Sequence, residues 1–222
     1  MEYEGIANTE LETIEKWEKI YKSNNFKKEI ELSFYSIIDI FKERKMKRVL
    51  DLGCGNGRHL TYLSKQGFET VGVDISLEAL KISKNVLDKI NLEAILMRAS
   101  IYEPLPFRDK SFDGVISIRT LHHSTIENIR NAIQEIKRVV KNGGLVYVTL
   151  RKEIPKEKRH PFIEIAPRTY IPLEGKEKGI IHYLFDEKSI KLEFKHFNIL
   201  QLKTEYGPED WEAYYCVLME LP

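Results

Sequence analysis

Strand and helix patterns alternate through the middle of the chain. They predict an α/β fold: a doubly wound, mostly parallel sheet with helices on both faces. Short apolar runs recur at 48–52, 68–74, 93–99, 112–118 and 145–150. The segments between several of them carry apolar residues that step by three and four, the spacing of one helix face. The run at 112–118, Phe-Asp-Gly-Val-Ile-Ser-Ile, is apolar almost throughout, which fits a strand buried on both faces.

Taken in order, residues 9–45 read as helical, with Thr9 and Glu12 at capping-box spacing. Residues 48–52 form a first strand ending in a glycine-rich turn, and 57–66 a helix with Leu60 and Leu63 on one face. Residues 68–74 are a second strand closed by an acid. Ser76 then caps a helix whose apolar face is read as Ala79, Ile82, Ser83 and Val86. Residues 93–99 and 112–118 are the third and fourth strands. Ser124 and Glu127 have capping-box spacing ahead of Ile126, Ile129, Ile133, Ile136 and Val140, the clearest helical periodicity in the chain. Asn142-Gly143-Gly144 is read as its stop, followed by a fifth strand at 145–150.

Beyond that strand, Pro155, Pro161, Pro167 and Pro172 interrupt a long segment, the composition of a functional loop or lid. A short helix at 186–195 and strands at 198–204 and 212–221 close the chain. The expected organisation is one domain over 1–222: a helical cap at 1–45, a core at 46–150, a lid at 151–185, and a closing helix and strands at 186–222.

A chain of 222 residues is long enough for one domain with a sizeable core. No apolar run approaches the roughly 18 residues of a membrane span. The first twenty residues are acidic and polar, unlike a secretory signal. Cys54 and Cys216 lie far apart and make no metal-binding spacing, which suits a reducing cytoplasm and predicts no metal. Thirty-five basic against 34 acidic side chains give a net charge of +1, so a strongly basic nucleic-acid footprint is absent overall. A local basic patch stays open.

The informative segment is Asp51-Leu52-Gly53-Cys54-Gly55-Asn56-Gly57, which follows a strand and opens a helix. Glycines there let the backbone turn tightly and approach a ligand, and the helix start offers free N–H groups to an anion. The alternative is a glycine turn without a ligand. A dinucleotide fingerprint needs a third glycine at position 58, where Arg58 stands, and the Gly-Lys-Ser/Thr of a phosphate loop is absent. Asp74 ends the neighbouring strand, so its carboxylate faces the same crevice and can accept bonds from both hydroxyls of a ribose. Its plain alternative is a helix cap.

With these segments in view, VLDLGCGNGRHLTYL, GVDIS, LPFRDKSFDGVISIRTLHH and RVVKNGGLVYV resemble, in order, the motifs of class I S-adenosylmethionine-dependent methyltransferases. The likeness covers about residues 10–150. It implies a Rossmann-like, seven-stranded, mostly parallel sheet with a final antiparallel strand. It further implies a helical N-terminal extension and a lid inserted after strand five. It places Asp51, Gly53, Gly55 and Gly57 around the amino and carboxylate groups of S-adenosylmethionine, Asp74 on the ribose and Ile75 on the adenine. Ser100 stands where an acid is frequent, with Ile101 offering its backbone N–H. Ile118-Arg119-Thr120-Leu121 flanks cofactor and acceptor. Trp17 and Tyr21 resemble a Trp-x-x-x-Tyr helix that closes over the cofactor; the same pair at i,i+4 also reads as core packing.

Methyl transfer from a sulfonium needs alignment, and a base only where the acceptor must lose a proton. His122 and His123 follow strand four at the carboxyl edge of the sheet, where a base would stand. One as a cap and one as core is the other reading. Arg168, Tyr170, His182, Tyr183 and the segment His160-Pro161-Phe162 are further lid candidates for the acceptor pocket. The expected acceptor is a small molecule. The segment LHHSTIENIRNAIQEIKRVVKNGG also resembles wobble-uridine tRNA methyltransferases, and RKEIPKEKRH is a candidate RNA-contacting edge, so tRNA is the alternative acceptor. A non-catalytic cofactor-binding partner subunit is the third reading.

Overall fold

The computed structural model describes residues 10–23, 26, 29–153, 155, 161–207 and 212–222. Its frame is a seven-stranded sheet in the order β3-β2-β1-β4-β5-β10-β9. The strands are β1 (Arg48–Leu52), β2 (Glu69–Asp74), β3 (Ile95–Arg98), β4 (Phe112–Ile118), β5 (Val140–Arg151), β9 (Asn198–Tyr206) and β10 (Ala213–Glu220). The pairs β1–β2, β1–β4, β2–β3 and β4–β5 are parallel, and β10 runs antiparallel to both β5 and β9. This is the α/β sheet with a final antiparallel strand that the motif order implied.

Period-two alternation divides the core between the two faces of the sheet. Leu50 and Leu52 of β1 join Val71, Val73, Val115 and Val146 under α5 (Ile126–Val139) and α6 (Glu187–Glu193). Val49 joins Ile116, Leu145 and Tyr147 under α2 (Leu32–Glu43), which buries Phe34, Ile37, Ile38 and Phe41 at helical spacing. Both faces of β1 and β4 are therefore covered, which explains their near-continuous apolar character.

Several local expectations shift. The helical stretch expected at 9–45 is two helices, α1 (Glu10–Lys22) and α2, with the poor helix formers Ser23-Asn24-Asn25 following the first. Thr9 lies outside the described residues. The helix α4 (Leu77–Lys89) is capped by Ser76, whose hydroxyl accepts from Ala79 N–H at 3.1 Å. Its buried face is Ala79, Leu80, Ser83 and Leu87, rotated from the expected face, and Val86 is exposed. The expected box at Ser124 does not form. Thr125 is the N-cap without a side-chain bond, and Ser124 Oγ instead accepts from Asn128 Nδ2 at 2.9 Å. Helix α5 ends at Val139, before Asn142-Gly143-Gly144, because the following backbone finds strand partners. Val140 pairs with Phe112, and Gly143 N–H donates to Leu221 O at 2.7 Å. Sheet pairing there outcompetes helix continuation, and β5 begins at Val140.

The proline-interrupted segment is ordered where it is described. Strands β6 (Phe162–Ala166), β7 (Thr169–Pro172) and β8 (His182–Tyr183) form a small antiparallel sheet. It is tied to the core by Tyr183 N–H on His122 O and Phe185 N–H on Arg151 O, both at 2.8 Å. Residues 156–160, including His160, lie outside the described residues. Helix α6 carries a reciprocal box between Asp186 and Ser189. Among the described residues no helix is long and apolar enough to cross a membrane.

Candidate active site

The parallel register of β1, β2 and β4 brings their carboxyl ends side by side, and the loops that leave them share one crevice. The β1 loop is folded back on β2: Gly53 and Cys54 N–H donate to Val73 O at 2.7 and 3.0 Å. Gly53 has φ +76°, and a Cβ there would lie 2.2 Å from Thr120 Cγ2, so both backbone conformation and space demand glycine. Gly55 has φ +54°, and its missing Cβ is the room taken by Tyr21 Oη, 2.4 Å from where that Cβ would be. Gly57 is the N-cap of α3 (Arg58–Lys65).

Asp74 is buried and holds this loop in place. One carboxylate oxygen accepts from Gly55 N–H at 2.8 Å and the other from Ser76 N–H at 2.9 Å. Burial raises its pKa to about 6, against the pull of those two N–H groups. Asp51 is buried in the floor beneath the loop. Its Oδ2 has no hydrogen-bond partner among the described residues. Burial raises its pKa to about 7; Arg58 pulls it down, while Asp74 and Glu31 add to the rise. A buried carboxyl with an open oxygen is poised to meet a cation.

A cavity of about 630 Å³ runs over this crevice. Of the residues expected at the cofactor, Gly53, Gly55, Asp74, Ile75, Ser100, Ile101, Ile118, Trp17 and Tyr21 line it; Asp51 and Gly57 do not. Arg98 Nε donates to Ile75 O at 3.1 Å and fixes that backbone. Trp17 and Tyr21 project from α1, which has no buried residue of its own and lines the cavity along one face, with Thr13 and Ile20 beside them. Their rings are 6.5 Å apart, and Trp17 sits 5.0 Å from the ring of His123. The carboxylate of Glu18 anchors α1 by accepting from Leu77 and Glu78 N–H at 2.7 and 3.0 Å, at the start of α4.

His123 lines the cavity and His122 does not. Burial pushes His123 down to about 3 despite the opposing pull of Glu177, so its imidazole is neutral at neutral pH. His122 is lowered too, by burial first and then by His123 and His182. His182 joins them, with ring centroids 4.8 Å from His123 and 5.9 Å from His122. The other lid candidates diverge. Arg168 pairs with Glu153 at 3.1 Å and with Asp186, away from the cavity; Tyr170, Tyr183 and Phe162 do not line it either.

The sequence reading left out an acidic and aromatic wall. Glu31 is buried beside three cationic or imidazole groups: His59 Nε2 at 2.7 Å, Arg119 Nε at 3.1 Å and Arg58 Nη2 at 3.4 Å. Burial would raise its pKa, but the His59 hydrogen bond and the neighbouring charges outweigh that and hold it well below the carboxylate range. Arg119 also reaches Glu212 at 3.4 Å and stacks on Tyr214, 4.3 Å from the ring. Glu31, Glu177, Glu212 and Tyr214 carry no motif. They come from three separate segments, with Glu212 and Tyr214 together at the start of β10, so only the tertiary fold brings them together.

Residues 50–148 match the family model described as a methyltransferase domain. The uncharacterized protein MJ1252 of Methanocaldococcus jannaschii is 32% identical over 171 residues, covering 75% of this chain and 62% of that protein. An Arabidopsis thaliana protein named tRNA (carboxymethyluridine(34)-5-O)-methyltransferase is 38% identical over 109 residues, 46% of this chain and 23% of its own length. The chain thus spans less than two thirds of either relative. The crystal structure of Burkholderia thailandensis 1,6-didemethyltoxoflavin-N1-methyltransferase, with that compound and S-adenosylhomocysteine bound, superposes with a TM-score of 0.72. It is 16% identical and covers 96% of this chain and 89% of that one. Residues 50–148 thus match a methyltransferase domain, and the strand order and glycine loop agree with the class I S-adenosylmethionine-dependent methyltransferases that the motifs resemble.

Proposed function

We propose that the protein moves the methyl group of S-adenosylmethionine to a small molecule held between the sheet edge, α1 and the β6–β8 segment. The observation that carries the reading is the roofed cavity: Tyr21 lies on the glycine loop and Trp17 on His123, so one helix covers both ends. At about 630 Å³ it is in the size range of small-ligand sites. The toxoflavin-precursor enzyme with the same fold holds a small acceptor.

Asp51 supplies a buried counter-charge for the ammonium of the methionine moiety, and its open Oδ2 fits that role. Asp74 keeps lone pairs for ribose hydroxyls beyond its two backbone bonds. Ile75 and Ile101 flank the adenine, with Ser100 and the Ile101 N–H at its edge. When bound, S-adenosylmethionine supplies an electrophilic methyl on a sulfonium. The acceptor's lone pair forms the new bond to that carbon as the carbon–sulfur bond breaks and its electrons return to sulfur. Trp17, Ile118 and Tyr214 exclude water and hold the acceptor in line. Without an ion on its ring, His123, held neutral, can take the proton of an acceptor that must lose one.

The tRNA reading is favoured by the Arabidopsis relative over the core. Methyl release from labelled donor, with a metabolite extract in one arm and bulk tRNA in the other, separates the two acceptors. Label retained only in the RNA arm overturns the small-molecule reading, and no label in either arm supports a non-catalytic partner.

Asp74→Ala is expected to weaken cofactor binding by about 1–3 kcal/mol, the scale of hydrogen bonds to a charged group. Unchanged affinity in titration calorimetry removes Asp74 from the cofactor site. His123→Ala is expected to leave cofactor affinity unchanged and to lower turnover by about 10²-fold with an acceptor that is deprotonated. A large loss of cofactor affinity would place His123 against the cofactor instead.

A further inference from the structure

We propose that His122, His123 and His182, with Glu177 as the fourth ligand, form a binding site for a first-row divalent cation, best suited to zinc, in the acceptor-side wall of the cavity. The ligand atoms of the three imidazoles lie within 4.8 Å of one another, and all three side chains are buried. Three histidines and a carboxylate are a borderline donor set that zinc takes in tetrahedral geometry.

The hydrogen bonds argue for a cation at this point. His182 Nδ1 lies 3.0 Å from Ile180 O, and a carbonyl only accepts, so Nδ1 carries the hydrogen. Nε2 of the neutral ring is then a bare lone pair, yet it faces a Glu177 carboxylate oxygen at 2.9 Å. Two electron-rich atoms at that distance repel unless a proton lies between them or both shift slightly onto a shared cation. A backbone carbonyl behind the second ring nitrogen is also the usual outer support of a metal-ligating histidine. His123 Nε2 lies 3.7 Å from the other Glu177 oxygen. Like His122 Nδ1, it is buried without a hydrogen-bond partner among the described residues. Two of the three clustered rings thus face the Glu177 carboxylate, and two buried ring nitrogens lack a partner, as in an incomplete coordination shell.

The charges allow it. Arg119 is neutralised by Glu31 and Glu212. Arg151 is a further positive group nearby; it donates to Tyr214 Oη at 2.6 Å, and its charge acts on Glu177. The four ligands come from two places, the loop after β4 and the stretch from Glu177 to the start of β8. A bound ion therefore clamps that segment to the core. His123 and Glu177 face the cavity, so an acceptor heteroatom reaches the ion from the open side. That last step rests on the proposed function, whereas ion binding does not.

The test uses the full-length, untagged protein. Metal-stripped protein is incubated with zinc, passed through a desalting column and assayed by mass spectrometry. Cobalt(II) is titrated in parallel, and its visible spectrum is read. About one ion per chain and an intense tetrahedral cobalt spectrum are expected. His182→Ala and Glu177→Gln are each expected to weaken affinity by more than about 10-fold. Unchanged cofactor affinity in both variants verifies that they fold. Zinc is also expected to raise the melting temperature of the wild-type chain and not of the variants. Substoichiometric zinc, or a cobalt spectrum unchanged in His182→Ala, overturns the site and leaves a protonated His182 as the bridge to Glu177. Zinc binding without methyl transfer leaves the site standing and removes the proposed function; the reverse result does the opposite.

Discussion

Asp51→Asn is expected to make the cofactor-free protein more stable at pH 8 while it weakens cofactor binding. Asp51 is 1% exposed and its pKa is raised to about 7. The unfolded carboxyl titrates near 4, so between about pH 4 and 7 the unfolded chain sheds its proton first and gains on the folded one. The stabilising effect of the neutral acid is thus complete below about pH 4 and gone above about pH 7. An amide at this position does not ionise, and the stability recovered at pH 8 is on the order of 2–4 kcal/mol. The same change removes the counter-charge for an ammonium. Loss of one partner from a buried charge pair costs about 2–5 kcal/mol of binding. Denaturant melts of the two proteins at pH 5 and pH 8, with calorimetry of S-adenosylmethionine binding, check both halves. Cofactor affinity of the wild type is expected to rise from pH 5 to pH 8 as Asp51 and Asp74 ionise, and to rise less in the variant. Equal stability and equal affinity at pH 8 would take Asp51 out of both roles.

Glu31→Gln is expected to destabilise the fold by about 3–5 kcal/mol at pH 7, the scale on which a buried ion pair loses one partner. Arg119, Arg58 and His59 converge on this carboxylate from different segments, and removing its charge leaves two half-buried guanidinium groups and a buried imidazole without it. Because the folded pKa is depressed, the contribution is present in full above the ordinary glutamate value near 4.3 and fades as pH falls below it. The wild type is therefore expected to lose stability on acidification below about pH 4.5, and the variant to show a shallower loss. A variant whose melting curve matches the wild type at pH 7 would mean that the cluster is screened by solvent. Since Arg119, Arg58 and His59 also line the cavity, the same change is expected to lower turnover even where the fold survives.

The particular elements show how far sequence reaches. The turn at 51–57 and the acid at 74 were legible because chemistry and backbone geometry are encoded locally. Glycines that must adopt positive φ, and an acid that must end a strand, leave a mark on adjacent positions. The strands β1, β2 and β4 were legible for a similar reason, since burial on both faces forces a continuous apolar run. The face of α4 was not. A rotation of one position leaves its residues nearly as periodic, and only packing against the sheet selects Leu80 and Leu87 over Val86. The end of α5 was misplaced because Gly143-Gly144 stops a helix equally well inside a strand, and the winning partner, Leu221, lies far along the chain.

By itself, the sequence determined the α/β class, the succession of strands and helices through the core and the glycine turn after β1, since each is written in residues that are neighbours or follow a fixed period. The tertiary structure alone decided that Glu31 gathers Arg58, His59 and Arg119, that Tyr21 fills the space beside Gly55, and that His182 and Glu177 meet His122 and His123. Such groups meet because strands far apart in sequence are hydrogen-bonded in space. Their electrostatics depends on burial, which no local pattern of residues records.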